Sequence, residues 1–87
     1  MLNDQSQIIS SAIVSVIPGY EGRVVSGLAA LPDTEVGPIG GSRIVIVLEG
    51  RTRGEVGARL AQIALMDGVV AANLVFEHIE EDKGWSQ

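Results

Sequence analysis

Cysteine is absent from the 87 residues. That excludes a disulfide framework and thiolate-held zinc or iron–sulfur centres. Aromatic residues are almost absent too: one Trp, one Tyr and one Phe. His78 is the single histidine and Lys83 the single lysine, which leaves few candidates for acid–base or nucleophilic work. The glycines form neither G-x-x-x-x-G-K-[ST] nor G-x-G-x-x-G, so no phosphate-cradling loop is expected. The longest aliphatic run, Ile44-Val45-Ile46-Val47-Leu48, is far shorter than the roughly 20 residues that span a bilayer. The opening Met1-Leu2-Asn3-Asp4-Gln5 has no basic or apolar leader character, so a cytoplasmic protein is expected. Positive charge is scarce: six basic residues against eleven acidic give a net charge of −5. That balance disfavours nucleic acid and favours a cationic partner. No catalytic residues, cofactor or metal site are expected, and the composition points to a binding or assembly protein rather than an enzyme.

What is present is a globular composition, 46% hydrophobic and 20% charged, in a length suited to one domain. Ile8 to Ile17 is rich in β-branched residues and stops at Pro18-Gly19, as a strand before a turn does. Val24, Leu28 and Leu31 then recur at helical spacing, with Val25 beside them, until Pro32-Asp33 ends the helix. Thr34 to Ile39 reads as a short strand that Pro38 confines to a sheet edge. Gly40-Gly41 signals a hairpin, and Ser42 to Glu49 is the strongest strand in the chain. Thr52-Arg53-Gly54-Glu55 is a capping box opening a helix whose stripe is Val56, Leu60 and Ile63. Gly68 closes that helix and Val69 to His78 forms the last strand. The order β-α-β-β-α-β predicts an α+β, ferredoxin-like sandwich: a four-stranded antiparallel sheet with both helices on one face. Residues 8–79 form this one domain, 1–7 are expected to be a flexible N-terminus, and 80–87 an acidic C-terminal tail.

Two helices cover one face of such a sheet and leave the other open. Strand alternation assigns the faces. Ile44, Ile46 and Leu48 point one way, and Arg43, Val45, Val47 and Glu49 the other, mixed way. The serine-bearing row Ile9, Ser11, Ile13, Ser15 and Ile17 suits the open face better than Ala12, Val14 and Val16. In the last strand unbroken alternation turns Val70, Ala72, Leu74 and Phe76 to the helices and Val69, Ala71, Asn73, Val75 and Glu77 outward. The expected site is therefore an aliphatic strip of Ile13, Val45, Val47 and Val75, framed by Ser11, Ser15 and Asn73, with Glu49 and Glu77 at its rim. A homodimer contact, or tail residues folded over the strip, would account for the same pattern. His78 is expected as a strand residue rather than a metal ligand, and Arg51 and Arg53 as solvated loop charges.

Several segments resemble the NapD family. They are Ile9-Ser10-Ser11-Ala12-Ile13-Val14, the helix end Leu28-Ala29-Ala30-Leu31-Pro32 with Glu35-Val36 after it, and Ile44-Val45-Ile46-Val47-Leu48-Glu49. The stretch Asp67-Gly68-Val69-Val70-Ala71-Ala72-Asn73-Leu74-Val75-Phe76-Glu77-His78 resembles the family's closing strand, of type G-V-x-A-A-S-L-V-Y-H-H. The likeness runs from about residue 8 to residue 80. Asn73 stands where Ser is usual, Phe76 where Tyr is usual and Glu77 where His is usual, and the hairpin is shortened around Gly40-Gly41. The resemblance implies a ferredoxin-like cytoplasmic chaperone for the catalytic subunit of the periplasmic nitrate reductase. It would bind that subunit's twin-arginine signal peptide and delay export until the molybdenum cofactor is inserted. No nucleic-acid partner and no membrane span are expected, and the chain is expected as a monomer or weak homodimer. The peptide could lie as a helix on the open face or add as a strand at an edge.

Two other classes share this topology. An ACT-like small-molecule-sensing or dimerisation domain is the main alternative. An acylphosphatase-like hydrolase needs an anion-cradling loop after the first strand, which Ile17-Pro18-Gly19-Tyr20 does not offer.

Overall fold

The computed structural model describes residues 7–80; of the expected flexible N-terminus 1–7, residues 1–6, and of the expected tail 80–87, residues 81–87 with Trp85 among them, lie outside the described residues. The elements run β1 (Gln7–Val16), α1 (Glu21–Ala29), β2 (Thr34–Gly40), β3 (Arg43–Gly50), α2 (Arg53–Ala64) and β4 (Val69–Glu80). One antiparallel sheet has the spatial order β2-β3-β1-β4. This is the ferredoxin-like arrangement expected, with β2 and β4 as the two edges.

Each local signal has a physical counterpart. The Thr52 hydroxyl accepts from the Glu55 N–H at 3.0 Å, which caps α2. The Glu55 carboxylate reaches past the cap residue and accepts from the Arg51 N–H at 2.8 Å. Gly68 has φ +93°, and a Cβ there would stand 2.7 Å from the Tyr20 ring, so only glycine closes this corner without displacement. Gly41 (φ +61°) and Ser42 link β2 to β3, with Gly40 paired to Arg43. A positive φ at the first of two loop residues is what a type II′ hairpin turn requires. Pro38 lies in an irregularity between Val36 and Ile39, where its missing N–H breaks no ladder bond.

The core lies between the sheet and the helices. Ile8, Ala12, Val14 and Val16 of β1 and Ile44, Ile46 and Leu48 of β3 are buried against Val24 and Leu28 of α1 and Val56 and Ile63 of α2. Each such side chain contributes on the order of 1.5–3 kcal/mol of transfer free energy. Helix α1 packs over β2, while α2 lies over β4, β3 and β1. Ser10 is the polar intruder: it is 0% exposed and its hydroxyl finds no hydrogen-bond partner among the described residues.

Candidate functional site: the open face of the sheet

The buried pattern of β1 and β3 leaves the alternate residues on the uncovered side. Antiparallel residues directly opposite one another share a face, so the register draws the open face rung by rung. One rung is Asn73–Ile13–Val45. The next is Phe76–Ser11–Val47–Glu35. Beyond it comes His78–Ile9–Glu49, and on the other side Ala71–Ser15–Arg43. Ile9, Ile13, Val45 and Val47 are half-buried on successive rungs and form an aliphatic band.

Seven of the nine expected site residues, Ser11, Ile13, Ser15, Val45, Val47, Glu49 and Asn73, lie together on this face. Two do not follow the expected placement. Strand β4 carries extra residues opposite β1, one between the partners of Ser15 and Val16 and one between those of Ser11 and Ala12. These are Val70 and Val75. Each bulge shifts the alternation by one. Val75 is therefore the inserted residue, 56% exposed, and not a member of a rung. Glu77 pairs with the fully buried Ser10, on the helix side, and its carboxylate meets the Arg53 guanidinium at 3.2 Å. It is not a rim carboxylate of the open face, and Arg53, a solvated charge as expected, stands at the start of α2 and pairs with it at the surface. Phe76, expected beneath the helices, shares the open face with Ser11 and is 59% exposed. Val69 likewise packs against the core instead of facing outward.

The register also brings in a residue that alternation along single strands missed. Glu35 of β2 stands opposite Val47. Together with Asp33, Thr34 and Glu49 it surrounds Val47 in a shallow depression of about 240 Å³. Asp33 adopts φ +53°, and its carbonyl accepts from the Glu49 N–H at 3.0 Å, tying the start of β2 to the end of β3. Gln7 donates to the Glu49 carboxylate at 2.9 Å and orients it. The open face is thus polar along the strand direction. Glu35 and Glu49 stand at one end and Arg43 at the other, with the aliphatic band between them. The β2–β3 hairpin register was the signal for Glu35.

No three His, Asp or Glu side chains among the described residues are placed to hold a metal ion. No helix among them is long and apolar enough to cross a membrane.

The chain is similar to known proteins in both sequence and fold. The family model described as NapD protein matches residues 8–81. Chaperone NapD of Paracoccus pantotrophus is 46% identical over 71 residues, covering 82% of this chain. The match spans 63% of that relative's length. The solution structure of the E. coli Tat proofreading chaperone protein NapD superposes with a TM-score of 0.77 over 99% of this chain and 90% of the other, at 20% identity, a likeness of fold. With most of its length matched by the family model and close to half of its aligned residues shared with a curated relative, the chain belongs to the NapD family.

Proposed function

We propose that this protein is an assembly chaperone that works in the cytoplasm. Its open sheet face binds the twin-arginine signal peptide of the periplasmic nitrate reductase catalytic subunit and withholds it from export until the molybdenum cofactor is inserted. The work is binding, not catalysis. The observation that carries the reading is the composition of one surface. An aliphatic band (Ile9, Ile13, Val45, Val47) ends in two carboxylates, Glu35 and Glu49, in a chain of the NapD family.

A twin-arginine leader presents two guanidinium groups followed by an apolar segment. Carboxylates take guanidinium forks in charge-assisted pairs, and the aliphatic band takes the apolar residues. The polarity of the face supports one direction: arginines at the Glu35–Glu49 end, apolar residues over Val47, Val45 and Ile13 toward Arg43. The net charge of −5 speeds encounter with a cationic peptide at low salt.

Calorimetry with a synthetic twin-arginine leader, against the same leader with both arginines changed to lysine, tests this. The expected result is tight binding of the first and much weaker binding of the second, since lysine cannot form the bidentate pair. Equal binding of both, or of neither, contradicts the reading.

A further inference from the structure

The two edges of the sheet differ in how they are guarded. Edge β2 carries Pro38, an irregular pairing and Glu35. Edge β4 has neither proline nor charge from Val69 to Phe76, a run of eight residues in a chain of net charge −5, and its irregularities are confined to the bulges at Val70 and Val75. Among the described residues its backbone pairs only with β1, and Val70, Leu74, Val75 and Phe76 are all exposed. A regular apolar stretch such as Ala71 to Leu74 on an edge without charge or proline invites another strand.

We propose that the occupant of this edge is a second copy of the chain, paired antiparallel through β4 about a two-fold axis. Charge selects the copy over the cationic peptide. The stretch has no carboxylate of its own, and Glu77, next along the strand, is committed to Arg53. Two anionic chains, for their part, approach with least repulsion along the one stretch that carries no charge. Symmetry fixes the rest. Two identical strands pair antiparallel only about an axis perpendicular to the sheet. That places all four helices on one side and joins the two open faces into a single eight-stranded platform. The bulges at Val70 and Val75 leave Ala71 to Leu74 as the regular stretch between them, so the axis passes beside Ala72 or Asn73. A small chain also gains most from such a contact, because its own core is limited.

Sedimentation equilibrium of the full chain, from micromolar to millimolar concentration, tests the proposal. The mass is expected to rise from 9.1 kDa toward double that value. Val75→Lys is expected to hold it at one chain throughout, while Ile39→Lys on the β2 edge behaves as the wild type. Amide hydrogen exchange of the unmodified chain supplies an answer independent of any variant's folding. Protection of residues 71–74 should grow with concentration while β2 amides stay constant. A mass that remains that of one chain at millimolar concentration overturns the proposal. So does a Val75→Lys dimer as strong as the wild type, or protection that grows elsewhere. Protection of 71–74 induced in the single chain by a twin-arginine leader assigns the edge to the peptide and also overturns it. The calorimetric test above concerns the open face alone, so either result can fail without the other.

Discussion

The two sides of β3 are built from nearly the same residues, yet they occupy opposite environments. Ile44, Ile46 and Leu48 are fully buried beneath the helices, while Val45 and Val47, threaded between them, stay half-exposed on the open side. Hydrophobicity alone does not distinguish these rows. Their cover does: the buried row, paired with Ser10, Ala12 and Val14 of β1, lies beneath the helices, while the open row, paired with Ser11 and Ile13, does not. An aliphatic row bordered by serines, carboxylates and an arginine can remain wet until a partner covers it. The aliphatic row that the helices cover is core, even where Leu48 pairs with Ser10. On the proposed function, the same sheet uses one face for stability and keeps the other for binding.

The contrast breaks most visibly at Ile46. Ile46→Ala removes a fully buried side chain and is expected to lower unfolding free energy by about 2–5 kcal/mol in urea titration, with little direct effect on peptide contacts. Val47→Asp is the reciprocal change. It should leave circular dichroism and the unfolding cooperativity intact. It should weaken leader binding in calorimetry by tenfold or more, because a carboxylate then sits where an apolar residue is to be buried. A protein unfolded by Val47→Asp would mean the two rows are equally core.

Smaller effects sharpen the comparison. Changing Glu35 and Glu49 together to Gln should weaken leader binding several-fold at low salt, about 1 kcal/mol, with the difference closing at high salt. The adjacent serines test the faces within one dipeptide. Ser10→Ala removes a buried hydroxyl with no partner among the described residues and should raise stability by about 1 kcal/mol, whereas Ser11→Ala should change it by less than roughly 0.5 kcal/mol. Least of all, Glu77→Gln breaks a surface pair with Arg53, costs at most about 1 kcal/mol and leaves leader affinity unchanged. A loss of affinity there would return Glu77 to the binding face.

Most of the fold was legible because its signals are local. The capping box at Thr52 and Glu55, the corner at Gly68, the Gly41 turn and the Pro38 edge each arise from residues within a few positions of one another. The open face was legible where strands alternate without interruption, which is why the serine row of β1 and the Val45–Val47 row of β3 fall where the pattern puts them. It failed in β4. A bulge inserts one residue into a ladder, and its position depends on pairing with β1, not on anything within Val69–Glu80. Past Val75 every side chain changes face, so Glu77 and Phe76 exchange roles. Glu35 was hidden for a related reason: its place beside Val47 follows from the hairpin register, which short strand patterns do not contain.

The central claim, that the uncovered side of the sheet receives the leader, is tested most directly by nitrogen-15 chemical-shift mapping during titration with a twin-arginine peptide. The account predicts that the largest shifts fall on Ile13, Val45, Val47, Glu35 and Glu49, with Leu28 of α1 and Ile63 of α2 unmoved. Shifts concentrated on the helices, with the Val45–Val47 row silent, would contradict it.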